Sequence, residues 1–92
     1  MPYIKKEDRI KFENDISKIS KNINSDGELN YVITLLVHNE LLKRGRNYQN
    51  MNNLVGVLEC VKNEFIREVV SPYENIKKEA NGNISFLDRN NE

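Results

Sequence analysis

The stretch from Leu29 to Leu42 constrains the fold most, because it reads as a helix that is apolar on almost every side. At about 100° per residue, its apolar side chains leave no polar arc wider than roughly 80°. A surface helix of a small monomer would show a broad polar face instead. We therefore expect a central helix that is covered on more than one side and lies at or near a subunit interface.

The size and composition of the chain set limits on what can cover such a helix. A chain of 92 residues forms one domain with a thin core, and we expect residues 1–92 to be a single helical domain with a loosely ordered tail from 85 to 92. One cysteine excludes an internal disulfide, and one cysteine with one histidine is too few ligands for a usual structural zinc site. Good helix packing or self-association must then stabilise the chain.

The charge pattern and the cysteine content also bear on partners and location. The formal net charge is zero, so nothing favours nucleic acid or an anionic membrane as a partner. No apolar run reaches transmembrane length, and the N-terminal sequence does not resemble a signal peptide. A single thiol without an export signal predicts a cytoplasmic protein.

Local signals mark the first two helices. An apolar stripe that includes Phe12 predicts a first helix over Lys5 to Ile23. Ser25 and Glu28 have the spacing of a capping box, which predicts the start of the second helix near Asp26. Lys43-Arg44-Gly45 combines basic residues with a glycine, a pattern typical of a helix end.

The third and fourth helices are predicted in the same way. Asn50 is a suitable N-cap for a helix from Met51 to about Val70, and Gly56 inside it suggests a close helix crossing. Ser71-Pro72-Tyr73-Glu74 should kink or stop that helix and cap a short fourth one, which ends near Asn81-Gly82. Further on, Ile84, Phe86 and Leu87 are expected to dock as a tail or strand, and the last five residues to fray.

These elements predict an all-α fold, a small bundle of three main helices plus a short fourth helix after Pro72. We expect it to form a homo-oligomer through the second helix, and the third helix is a further candidate. The expected interface residues share one side of the second helix: Tyr31, Leu35, His38 and Leu42. A histidine among apolar neighbours is usually a hydrogen-bonded core or interface residue rather than a catalytic one.

Candidate ligand-binding residues are the cations and tyrosines of the second half of the chain: Arg44, Arg46, Tyr48, Lys62, Arg67 and Tyr73. Arginine and tyrosine side chains can clamp and stack on a phosphate or nucleotide. Positive charge at a helix C-terminus is also stabilising, and this is the simpler explanation for the Arg44 cluster. Lys62 lies within the apolar arc of its helix; it either pairs with Glu59 or meets an anion.

Glu59, Glu64 and Glu68 are the candidate metal ligands, because paired carboxylates can hold Mg²⁺. All-helical nucleotide pyrophosphatases use glutamate pairs three residues apart, and no acidic residue of these helices has such a partner. A solvated acidic face is therefore the preferred interpretation. Cys60 has no second cysteine or flanking cations that would lower its pKa, and we expect no cofactor.

Several segments together resemble one protein family: MPYIKKEDR, GELNYVIT, Gly56 to Cys60, Glu64-Phe65 with Arg67, Val70 to Glu74, and Glu79 to Gly82. In order and spacing they are similar to a family of small prokaryotic and phage proteins of uncharacterised function, over about residues 1–85. The chain departs from that pattern at Glu68, where a second basic residue is usual, and at Asn83, where an acid is usual. The resemblance implies a compact helical domain, and the family offers no activity to carry over.

The sequence thus predicts a non-enzymatic, small oligomeric binding protein, and we expect a phage or mobile element to encode it. It would bind a host protein or sequester a small anionic, nucleotide-like ligand at a subunit interface. Two alternatives stay open: a metal-dependent nucleotide-processing enzyme that uses the glutamates of the third helix, and a purely structural protein–protein interaction module.

Overall fold

The computed structural model describes residues 4–87. Its elements, in chain order, are α1 (Lys6–Asn22), α2 (Asp26–Arg44), α3 (Tyr48–Phe65), a π-helical turn (Ile66–Val70) and α4 (Ser71–Asn81). No strand occurs in the described part of the chain. The all-α prediction is confirmed, with three main helices and a short fourth segment that continues from the third.

The chain divides into two compact units, the first ending at Leu54 and the second beginning at Val55. The first unit contains α1, α2 and the start of α3. The second contains the rest of α3, the π-turn and α4. Of residues 4–87 only Leu54 is buried, at 6% exposure. The prediction of a single domain over residues 1–92 stays a prediction.

The boundaries of α1 and α2 follow the local signals in the sequence. Lys5 is the N-cap of α1 and Ile23 its C-cap, within a residue of the predicted ends. Ser25 Oγ accepts a hydrogen bond from the backbone N–H of Glu28 at 3.1 Å, so the predicted cap is confirmed. At the other end of α2, Gly45 has a φ of +113°, a conformation that side chains disfavour.

The predicted start of α3 is wrong by three residues. The helix begins at Tyr48, and the cap is Asn47, whose Oδ1 accepts from the backbone N–H of Asn50 at 2.8 Å. Asn50 instead donates its side-chain amide to the carbonyl oxygens of Arg44 at 3.2 Å and Gly45 at 2.9 Å. It therefore joins the end of α2 to the start of α3 rather than capping a helix.

The predicted capping box at Ser71 is also wrong. Ser71 has helical dihedral angles, and its N–H donates to the carbonyl of Ile66, five residues back. Pro72 has no N–H, and its ring would clash with a carbonyl in a regular α-helix. A π-turn widens the helix just before Pro72 and lets the chain continue into α4 without a break.

Two smaller expectations differ from the structure. No atom lies within 4 Å of the position that a Cβ would take at Gly56, so no close crossing occurs there within the described chain. Ile84, Phe86 and Leu87 lie in a segment of bends and turns, and their side chains are 94, 89 and 71% exposed instead of packed on the helices. The predicted fraying of residues 88–92 lies outside the described residues.

Candidate functional site

An open apolar groove lies where the end of α1 meets the start of α2. Its volume is about 380 Å³, and its lining residues are Ile19, Asn22, Ile23, Gly27, Glu28, Tyr31 and Val32. The walls are mainly the aliphatic and aromatic side chains of these two helices. A groove of this composition suits an apolar side chain of another molecule better than an anion.

Hydrogen bonds in the α1–α2 loop connect the two helices that line this groove. The Glu28 carboxylate accepts from the backbone N–H of Asn24 at 2.7 Å, while its own N–H donates to Ser25. The Asn24 side chain donates to the carbonyl of Asn22 at 3.3 Å. These contacts fix the angle at which the chain leaves α1 and enters α2.

Much of the apolar surface of α2 is exposed in the described residues. None of its residues is buried. The predicted interface residues Tyr31, Leu35 and Leu42 are 64, 41 and 67% exposed, and His38 is exposed as well. Ile33 and Leu36, on other sides of the helix, are 42 and 59% exposed. Apolar side chains of α2 therefore face solvent in several directions.

At the C-terminus of α2, one carboxylate engages two cations. Arg44 Nε donates to Glu40 Oε2 at 2.9 Å, and Lys43 Nζ lies 3.1 Å from Glu40 Oε1. The hydrogen bond from Arg44, and to a smaller extent the one from Lys43, hold the pKa of Glu40 below its usual value. Lys43 and Arg44 are thus both paired with an acidic residue of their own helix.

The other three candidate ligand residues belong to the second unit. Lys62 Nζ lies 3.4 Å from Glu59 Oε1, and Arg67 forms a 2.6 Å ion pair with Glu64. Tyr73 has Lys77 Nζ over its ring at 5.6 Å from the ring centre. All of these partners lie three or four residues away on the same helical segment.

The three glutamates considered as metal ligands face cations. Glu59 lies against Lys62, Glu64 against Arg67, and Glu68 Oε2 is 3.7 Å from Arg67 Nε. Across residues 4–87, no three histidine, cysteine or acidic side chains come together as a set of metal ligands. Cys60 is a free, exposed thiol.

The groove is the feature that sequence reasoning missed. The apolar stripe of α1 already contained Ile19 and Ile23, and the capped loop between them and Tyr31 could have been read as a tight corner. Such a corner brings the last turn of one helix against the first turns of the next. Tyr31 was singled out for the interface, but its neighbour Val32 was not.

Comparisons with known proteins identify a family and no activity. No helix of the described residues is long and apolar enough to cross a membrane. Neither the curated proteins nor the solved structures contain a significant match. One family model, described as a domain of unknown function (DUF6899), matches residues 1–84. The expected membership of an uncharacterised family is thereby confirmed, and the chain belongs to the DUF6899 family.

Proposed function

We propose that this chain is a non-enzymatic binding protein that acts as a small oligomer, with α2 in the interface between subunits. The observation that carries the proposal is the exposure of α2. A helix with apolar side chains on several sides and no buried residue needs a partner to remove that surface from water. Burial of apolar surface is the main driving force of protein association.

The groove beside α2 is the proposed site for a second protein. Its lining is mostly apolar, and Tyr31 is shared between the groove and the predicted interface. Buried tyrosines are frequent anchors of protein interfaces. The partner is a protein of the same cytoplasm, and a host protein if the gene belongs to a phage or mobile element.

The positions of the cations favour a protein partner over an anionic ligand. Arg44, Lys62 and Arg67 each have an acidic partner on the same helical segment, at 2.9, 3.4 and 2.6 Å. An incoming phosphate would have to compete with these carboxylates for the cations. Sequestration of a nucleotide-like ligand remains the alternative that the experiment below distinguishes.

Native mass spectrometry of protein purified without denaturation tests the proposal. We expect an oligomer without added small-molecule mass. An oligomer that carries a few hundred extra daltons per site, about the mass of a nucleotide, would instead support sequestration. A monomer at all concentrations would overturn the proposal.

Matched variants of α2 show whether this helix forms the interface. Leu35→Lys and Leu42→Lys place a charge on the exposed apolar side, and each should shift the oligomer toward smaller species or aggregated protein. Asn30→Lys adds the same charge at an exposed polar position on another side of the same helix and should leave the oligomer intact. If Leu35→Lys and Leu42→Lys keep the wild-type mass and melting temperature, α2 is not in the interface.

A further inference from the structure

The second unit carries its own exposed apolar stripe. Within residues 55–87 no side chain is buried. Six apolar residues recur at spacings of three or four along α3, the π-turn and α4, and they are 40, 61, 58, 53, 59 and 65% exposed: Leu58, Val61, Phe65, Val69, Tyr73 and Ile76. Spacings of three and four place them along one side of the helical segment. Within residues 55–87 this stripe stays largely exposed to solvent.

The spacing of the stripe is symmetric about Arg67. Phe65 and Val69 lie two positions from it, Val61 and Tyr73 six positions, and Leu58 and Ile76 nine positions. In an antiparallel pair of identical helices, a residue before the two-fold axis faces the residue equally far beyond it. Each apolar residue of the stripe would therefore face another apolar residue of a second copy.

The π-turn explains how the stripe passes the centre of symmetry. Alternating steps of three and four residues after Phe65 would place Glu68 in the stripe. The π-turn spans Ile66–Val70 and accommodates one extra residue in the turn. Val69 then takes the place that Glu68 would have occupied, and the stripe continues to Tyr73 and Ile76.

Charged residues of the same segment are also complementary in their positions along the helix axis. Glu59 lies eight positions before Arg67 and Lys77 ten positions after it, while Lys62 lies five before and Glu74 seven after. Antiparallel pairing brings Glu59 of one copy to within about one helical turn, measured along the axis, of Lys77 of the other, and Lys62 as close to Glu74. Each of these two pairs combines opposite charges and would compete with the ion pair that Glu59 and Lys62 form within their own helix. Parallel pairing would place each charged residue beside its own copy.

We propose that two copies of this chain pack antiparallel along residues 58–76, with the two-fold axis near Arg67. Phe65 of one copy packs on Val69 of the other, Val61 on Tyr73, and Leu58 on Ile76. This contact involves a different surface from the α2 interface and goes beyond the proposed function. Antiparallel packing also aligns the helix dipoles favourably.

The stripe is large enough to contribute most of a stable contact. Its exposed fractions correspond to about 400 Å² of apolar side chain per copy, taking about 90 Å² for an aliphatic and about 200 Å² for an aromatic side chain. Two copies then bury about 800 Å² from these six residues. The proposed contact requires flanking side chains to supply the rest of the roughly 1,200 Å² typical of a small specific interface.

Distances between spin labels on the two copies test this geometry. The exposed Cys60 is first changed to serine, and a cysteine is then placed at Asn63 or at Asn81 in the full-length chain. For antiparallel copies, the axial distance between equivalent labels grows by about 3 Å for each residue away from the axis. The Asn81 labels should therefore lie about 30 Å further apart along the helix axis than the Asn63 labels.

Equal label-to-label distances at Asn63 and Asn81 would mean that the copies are parallel and would overturn the proposal. The absence of any measurable distance between labels on two copies would overturn it as well. In the Leu35→Lys background, in which the α2 contact is already removed, Phe65→Lys should weaken dimerisation by about a hundredfold or more, because each copy loses a central aromatic contact. Asn63→Lys in the same background, on the same helix but off the stripe, should leave dimerisation unchanged. A Phe65→Lys protein that dimerises as well as Asn63→Lys in this background would also overturn the proposal.

The two proposals fail separately. Leu35→Lys removes the α2 contact but should leave the difference between the Asn63 and Asn81 label distances in place. If that difference is absent while Leu35→Lys still dissociates the oligomer, the α2 interface stands and the antiparallel contact does not.

Discussion

If second copies cover the exposed apolar surface, the melting temperature of this protein must depend on its concentration. Hydrophobic burial is the dominant favourable term in folding, yet within residues 4–87 the chain buries one apolar side chain, Leu54. Folding and association are then coupled, and dilution favours the unfolded chain by mass action. A chain that is stable by itself would melt at the same temperature at every concentration.

The size of the effect follows from the chain length. The entropy of unfolding is about 2.1 cal/mol/K per residue, which for two chains of 92 residues amounts to about 0.4 kcal/mol/K. A tenfold change in concentration changes the free energy of a dimer by about 1.4 kcal/mol. The melting temperature should therefore rise by about 4 °C for each tenfold increase in protein.

Circular dichroism of the helical signal, followed during heating, measures this shift directly. Over about a hundredfold range of concentration we expect a rise of about 8 °C. Leu35→Lys and Phe65→Lys should each melt at a lower temperature than Asn30→Lys at the same concentration. A wild-type melting temperature that varies by less than about 1 °C over this range would refute the coupling of folding to association.

Three further predictions concern single residues within and between α2 and α3, and all of them are measured at fixed protein concentration. Gly45→Ala should destabilise the fold in urea unfolding by about 1 to 3 kcal/mol because Gly45 has a positive φ. Gly56→Ala should instead stabilise the fold by up to about 1 kcal/mol, because alanine favours a helix interior. Destabilisation by Gly56→Ala would mean that a partner helix crosses at this position. Asn50→Ala removes two hydrogen bonds to the end of α2 and should cost about 1 to 3 kcal/mol in the same assay. Asn53→Ala, which loses one exposed contact with Gln49, should cost less than about 0.5 kcal/mol, and equal losses would contradict the role of Asn50. The pKa of Glu40 is lowered in the folded state, so the contribution of its carboxylate to stability is fully present above the ordinary pKa of 4.5 and is lost as the pH falls through the lowered folded value. Glu40→Gln should lack this loss of stability when the protein is titrated with acid. Identical acid titrations of the wild type and Glu40→Gln would contradict the prediction.

Much of the helical architecture could be predicted because the deciding contacts are local. Ser25 and Glu28 lie three residues apart, and their hydrogen bond caps α2 whatever the rest of the chain packs against. Gly45 can adopt a positive φ that other residues disfavour, so the end of α2 was readable from its position after Lys43-Arg44. The pairing of Lys62 with Glu59 is also a local contact along one helix.

The apolar pattern of α2 was likewise evident in the sequence, since side-chain type and helical angle suffice to show that its surface is not that of a solvated helix. What faces Tyr31 within the chain depends instead on the path of the α1–α2 loop. The loop brings Ile19 and Ile23 to Tyr31 and forms the groove. Sequence periodicity of each helix by itself gives no angle between two helices.

The choice between Asn47 and Asn50 and the passage through Pro72 were decided by three-dimensional structure. Both asparagines are suitable caps by residue type, but only the course of the turn after Gly45 places Asn50 against the last carbonyls of α2 and leaves Asn47 to cap α3. Pro72 excludes a regular α-helical turn but permits either a stop or a wider turn. The sequence by itself determined the helices and their apolar faces, because those depend on neighbours within four residues. The tertiary structure decided how the helices are joined, because those hydrogen bonds depend on the path of the backbone.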